Sequence, residues 1–526
     1  MWDLESLGFL NDAPLWNMNG GFMMNEMGIP QMHDFLLDNQ PGFVASNTLQ
    51  DRVDNPSLPC GRKSPAVMDM RDIWFTNIKR DDHLCNRPPS IVRRTSISRS
   101  VTSPDEPELV DEDCRRELSK ALTHPPPQED LLPSSRFLNL SDKFIGHSTD
   151  EIVAMIQAAT LGQTFAMLSG DAKHLAIFDS YHGSLISFAR RENMFEARPE
   201  MKPPEVSSDE QLESSWKEWT RQEQLRRVGL ALHIHDAELS FLYHRDSLLK
   251  HRRSENETLE TSLAFNATTA REWEASLRTR EDIRFNGSDS HHSTPVDPFA
   301  VYLKLEALGV LIAEDRRQGC LKTTSKSYED KLLRWHKSFY QNNPADQDDE
   351  LCLLPLWHWT FINLLVDVDK IESAIGRDGP ERGFQALEYI TNWAATKDAA
   401  RCMMHAFLLQ RRLEALKLDH TPALHVPRIA FSAAIVSYCF ITYGPGNDPL
   451  NGASNLINTT HPEFRILGEH VKELTYLSRL TWNRTATSSV TAATLCVLNG
   501  LLEMMGVWGL AGRFAKIIAR LIDGEA

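Results

Sequence analysis

A chain of 526 residues with 41% hydrophobic content has room for two or three domains, or for one large helical body with tails. Its formal charge of −16 works against a chain that binds nucleic acid by its own phosphate contacts, because such binding gains affinity from clustered Lys and Arg. The eight cysteines are scattered, and no two share the two-to-four-residue spacing of a zinc finger or a binuclear zinc cluster.

In chain order, residues 1–50 contain no Lys or Arg, and acidic residues (Asp3, Glu5, Asp12, Glu26, Asp34, Asp38) alternate with aromatics (Trp2, Phe9, Trp16, Phe22, Phe35, Phe43). That alternation without helical period suits a disordered activation segment whose carboxylates keep the aromatics solvated until a partner groove takes them. No basic-then-apolar leader opens the chain, so a secretory signal is not expected and thiols should be reduced. Residues 51–130 are Pro-rich and read as disordered. Within them Arg93-Arg94-Thr95-Ser96 fits a basic-directed kinase site, and phosphate on Ser96 would damp the local positive charge; an import signal is the other reading.

From about Leu131 the pattern turns helical. Ser148 and Glu151 make a capping box for a helix with Ile152, Met155, Ile156 and Ala159 on one face, stopped at Gly170. Asp171 is placed to cap the next, with Leu175, Phe178, Leu185 and Phe188 inward. Ser208 with Gln211 begins a long helix carrying Leu212, Trp216, Trp219, Val228, Leu232 and Leu239. The polar stretch 281–298 reads as a loop between lobes, and a second helical lobe runs to about Ile522, broken at 341–350, 376–383 and 444–451. The apolar runs 429–443 and 490–512 are expected to be core helices rather than membrane spans. The fold class is therefore all-α: a multi-helix regulatory domain of two lobes, 131–285 and 299–526, behind a long disordered region, 1–130.

The W-x-x-W of Trp216 and Trp219, the Arg226-Arg227 pair and the H-D-A-E-L-S run containing Asp236 together resemble the middle homology (regulatory) domain of fungal-specific transcription factors. The stretch from Ile156 to Phe195 is similar to what that family carries before its W-x-x-W helix, and Gly506 to Glu525 resembles the way members with two-Cys-two-His fingers end. The resemblance covers roughly three quarters of the chain and departs from the pattern at 141–151, where a longer helical segment is usual. It implies a nuclear regulator of transcription, of a metabolic or secondary-metabolite gene set. Coactivators or related transcription factors would be its partners, as a homo- or heterodimer, with no membrane. It implies no cofactor in this sequence; zinc would belong to a finger region outside it, and DNA would be reached indirectly, weakly or through a partner. A non-DNA-binding protein that sequesters a relative is the alternative.

His233 and His235 lie two apart on a helix and point away from each other, so they are read as core histidines. Asp236, among apolar residues, needs a partner from another helix, with Arg as the expected type. Glu223 and Arg227 read as a plain i,i+4 pair. A helical terpene cyclase is the strongest enzyme rival, but its D-D-x-x-D is missing; Asp348-Asp349-Glu350 reads as a solvated loop. Gly506, Gly509 and Gly512 suggest close helix packing.

Overall fold

The computed structural model describes residues 67–78, 149–196, 208–252, 262–286, 297–342, 349, 351–416, 422–443, 461–467 and 487–523. The fold is all-α; no strand occurs among the described residues. The helices are α1 (Thr149–Leu168), α2 (Ala172–Arg191), α3 (Asp209–Leu242), α4 (Ser262–Phe265), α5 (Ala270–Asn286), α6 (Pro298–Arg317) and α7 (Leu321–Asn342). They continue as α8 (Leu353–Leu365), α9 (Val368–Ala374), α10 (Pro380–Ala394), α11 (Lys397–Glu414), α12 (Val426–Tyr443), α13 (Pro462–Arg465), α14 (Thr487–Met504) and α15 (Gly509–Asp523).

The helix starts follow their caps. The Asp171 carboxylate accepts from Lys173 N at 2.7 Å, and Ser208 Oγ from Gln211 N at 3.3 Å. Gly170 adopts φ +68°, the left-handed conformation that ends α1 and turns the chain into α2. Asp349 departs from the solvated-loop expectation. Its two carboxylate oxygens accept from Leu353 N (2.8 Å) and Leu354 N (2.9 Å), capping α8, and burial raises its carboxyl above the ordinary range. The stretch 281–298 also differs: α5 continues to Asn286 before any loop begins.

One large core joins the C-terminal half of α3 to α6, α8, α11, α12, α14 and α15. At its centre, α8 buries every side chain from Leu353 to Leu364, between α6 on one side and α11 and α12 on the other. A helix apolar all round can only be stable in such a position. α12, apolar and long enough to cross a membrane, is likewise packed against α14, α15, α11 and α10, with 83% of its apolar window buried. A smaller cluster around Ile156, Leu185 and Leu232 ties α1 and α2 to α3. A third, around Trp219 and Trp273, ties the first half of α3 to α4 and α5.

Within the 1–130 region expected to be disordered, residues 67–78 depart from that expectation: Met70, Trp74 and Phe75 are buried in the main core. The rest of that region lies outside the described residues. The apolar run 490–512 falls on two helices, because the chain turns between Met504 and Gly509. Of the four glycines in this run, Gly509 alone closely approaches the backbone of another element, while a Cβ at Gly506 would meet the Glu503 carbonyl of its own turn at 2.7 Å. A Cβ at Gly509 would collide with the Ser169 carbonyl at the α1–α2 turn, which Arg513 Nε also contacts through Gly170 O at 3.1 Å. Gly512 has nothing within 4 Å of its Cβ position. Two substitutions three residues apart should thus have opposite signs in a denaturant titration. Gly509→Ala is expected to cost about 1–3 kcal/mol by overpacking. Gly512→Ala should gain about 0.5–1 kcal/mol from helix propensity.

Candidate functional site

The two tryptophans of the W-x-x-W pattern lie on α3. Trp219 is buried against Trp273 of α5 with ring centroids 5.5 Å apart, and half-buried Trp216 packs on the same cluster. Arg227 does more than the plain helix pair expected of it. Its guanidinium reaches Glu223 (3.0 Å), bonds the Asp297 carboxylate that caps α6 (2.8 Å), and lies 4.0 Å over the Phe265 ring. Arg226 sits beside the same Glu223, 3.9 Å away. Ser96 lies outside the described residues.

One turn further on, the backbone of the turn after α2 crosses α3 at Gly229, where a Cβ would collide with the Met194 carbonyl. From there to Leu242 nearly every residue is buried, including His235, Asp236 and Glu238. Three polar side chains within about one helical turn of an apolar interior require partners, and each finds one on a different element.

Asp236 is fully buried and accepts from Leu248 N (3.0 Å) and Leu249 N (2.7 Å), in the segment that folds back after α3. His251 Nε2 lies 3.3 Å and His182 Nε2 of α2 3.2 Å from its two oxygens. The expected arginine partner is replaced by two imidazoles and two backbone amides, from α2 and from the segment after α3. Burial alone would raise the Asp236 carboxyl, but the bonds from His182 and His251 hold it well below the ordinary carboxylate range. The chain of bonds continues into α1. Gln163 Nε2 donates to His182 Nδ1 (2.9 Å), which puts the His182 proton on Nε2, facing Asp236. Gln163 Oε1 accepts from His235 Nδ1 (3.0 Å), and His235 Nε2 meets Thr164 Oγ1 at 3.1 Å. Burial pushes His235 down to about 3, as it does His233, which stands against Phe195 and His251. The two histidines face different elements, His235 toward α1 and His233 toward Phe195 and His251, so they do not converge on one ion. Among the described residues no group of three or more His, Cys, Asp or Glu could hold a metal.

Glu238, two residues on, faces the other side. Arg428 of α12 grips its carboxylate with Nε at 2.8 Å and Nη2 at 2.6 Å. The Arg428 guanidinium lies 3.9 Å over Trp359 of α8 and 4.5 Å over Phe241, with Glu306 of α6 at 3.7 Å. Burial and the neighbouring Glu238 push the Glu306 carboxyl far above its ordinary range, which favours the protonated acid beside the Arg428–Glu238 pair. Beside them Tyr302 and His425 are joined at 3.0 Å, and burial pushes His425 to about 3.

Arg428 and Arg316 line a cavity of about 90 Å³ between α3, α6, α8, α9 and α12, with Ser240, His244 and Asn363. Arg428 Nη1 and Arg316 Nε are buried without hydrogen-bond partners. The same lining carries the carboxylates of Asp367, Asp369 and Glu372, so it is mixed in charge. Burial pushes the Cys352 thiol up to about 12 and those of Cys402 and Cys439 higher still, which leaves the described buried cysteines as unreactive thiols.

Sequence reading found Asp236 but not its partners. His182, Gln163, Leu248, Leu249 and His251 come from three other places in the chain, and Arg428 sits 190 residues beyond Glu238. The usable signal was local: three polar residues in an otherwise apolar half-helix, each of which had to be satisfied. No family model, curated protein or solved structure matches this chain.

Proposed function

We propose that this chain is a nuclear regulator of transcription that works through its helical body. Coactivators or a related transcription factor are its partners, and DNA is contacted by a partner or by a finger region outside this sequence. The observation that supports the reading is the role of the resembling residues. The W-x-x-W, R-R and H-D-A-E stretch of α3 is where α1, α2, α5, α6 and α12 are tied together. Such a stretch has reason to keep its residue types in a domain whose task is to hold a shape for other proteins. The gene set, metabolic or secondary-metabolite, rests on the resemblance alone.

A second reading is a brake that sequesters a relative without touching DNA, and the charge of −16 favours it. Tethering the whole chain to an unrelated DNA-binding module at a reporter promoter separates the two. Several-fold activation is expected of the regulator. A fall below the untethered level supports the brake, and an unchanged reporter with abundant nuclear fusion protein overturns both.

A further inference from the structure

The short segment 67–78 touches the body in the manner of a bound peptide. Its own shape is held from within: Ile73 N donates to Met70 O (3.1 Å), Asn77 N to Trp74 O (3.1 Å), and Asn77 Nδ2 to Arg71 O (2.9 Å). Those turns place Met70, Trp74 and Phe75 on one side, where they are almost fully buried, while Arg71, Asp72, Asn77 and Ile78 stay exposed. The body contributes Phe431 of α12, edge-on to Trp74 at 5.9 Å, and Phe514 of α15, edge-on to Phe75 at 4.9 Å. These two rings stack on each other at 4.3 Å, forming a continuous aromatic floor.

The wall of this groove is shaped for a backbone to lie against it. Gly376 (φ +102°) accepts from Met70 N through its carbonyl at 3.0 Å, and a Cβ there would collide with the Met68 carbonyl. At Gly379 (φ +89°) a Cβ would come within 2.9 Å of the Arg71 guanidinium, and at Gly383 it would meet Val67. At the rim, Arg520 of α15 pairs with Asp72 at 3.1 Å, both exposed. Apolar anchors sunk in a pocket, one backbone bond and a charged rim are how a linear peptide is recognised. Residues 79–148 separate the segment from α1, so nothing in the sequence forces it into this place by proximity. The Trp74 indole N–H is buried without a partner, so the resident contact is not optimised.

We propose that the groove formed by the α9–α10 turn, α12 and α15 is a peptide-recognition site, with Met70–Phe75 as its resident, exchangeable ligand. Its ligand class is a linear segment presenting Met-x-x-x-Trp-Phe. Occupied by its own segment, the groove is closed to others; a competing segment of the same pattern releases the N-terminal region from the body.

The test uses the full chain with a specific protease site inserted near residue 100. After cleavage, the N-terminal fragment should remain with the body on size exclusion at micromolar concentration. Excess synthetic peptide 64–80 should displace it, and the same peptide with Trp74→Ala and Phe75→Ala should not. In a second measurement, labelled peptide 64–80 should bind the uncut Trp74→Ala/Phe75→Ala chain about 100-fold more tightly than the wild type, whose tethered segment competes at high local concentration. Retention of the fragment despite excess peptide overturns the proposal, as does its release only when the body loses helicity. Immediate release, with no peptide binding to the cut body, overturns it as well. A double variant that fails to fold counts against it in the same way, because the segment would then be a fixed part of the core.

Discussion

Asp236→Asn is expected to cost about 3–5 kcal/mol of unfolding free energy at neutral pH, which makes it one of the two most damaging single changes in the body. The substitution keeps the volume and alters the hydrogen-bonding capacity. A carboxylate has lone pairs for the Leu248 and Leu249 amides and for both imidazoles at once. An amide turns one of its two positions into a donor, facing N–H groups whichever way it is oriented. Two donors in a fully buried site then lose their acceptor.

The pH dependence gives the second half of this prediction. The folded Asp236 carboxyl lies below its ordinary value of 3.8, so the folded state binds fewer protons there than the unfolded state. Its contribution is fully present above about pH 4 and is lost as the pH falls through the folded value. The gap between wild type and Asp236→Asn in a guanidinium titration should therefore be constant from pH 5 to 8 and narrow below about 4. A gap independent of pH down to the acid limit would mean that the carboxylate charge carries none of the cost. Thr164→Val, at the far end of the same chain of bonds, changes the half-buried partner of His235 and should cost far less, about 1 kcal/mol.

Much of the architecture could be read from local signals, and the misses share a cause. Caps at Ser208 and Asp171 and the stop at Gly170 were written in neighbouring residues, so α2, α3 and the end of α1 fell where expected. Asp349 was misread because its role as a cap depends on Leu353 and Leu354 starting a helix that is apolar on every side and has no face to reveal its period. The segment 67–78 was missed for a related reason. Its anchors Met70, Trp74 and Phe75 sit in turns, and neither a 3.6-residue nor a two-residue period marks them. What betrayed it was composition: an apolar Val-Met-Asp-Met-Arg-Asp-Ile-Trp-Phe run inside a Pro-rich polar stretch. The site's partners were illegible for a stronger reason. The residues that satisfy Asp236 and Glu238 are set by packing between helices far apart in sequence, and a lone sequence states only that some partner must exist.

Arg428→Met is the other large-effect change, expected to cost about 3–5 kcal/mol, while Glu238→Leu/Arg428→Met should lose far less than either single change. Removing the guanidinium alone strands the Glu238 carboxylate beside Glu306, without the cation that pairs it and with the faces of Trp359 and Phe241 close by. Removing both charges leaves Glu306, whose carboxyl burial pushes far above its ordinary range, and a Met side chain can still lie between Trp359 and Phe241. The double-mutant cycle should therefore show a coupling between positions 238 and 428 larger than the cost of Arg428→Met alone, above about 3 kcal/mol. Glu306 sets the direction of the pH effect. Its folded carboxyl titrates above the unfolded value of 4.5, so the folded state holds the extra proton, and stability falls as pH rises past that value. Glu306→Gln removes the proton requirement and should flatten that slope in the wild-type background. In Arg428→Met the deficit should shrink as the pH falls, because protonation removes the uncompensated buried charge. Equal losses for the single and double variants would mean that α12 is held by its apolar face alone. The charge pair would then fix only the register of α12 against α3.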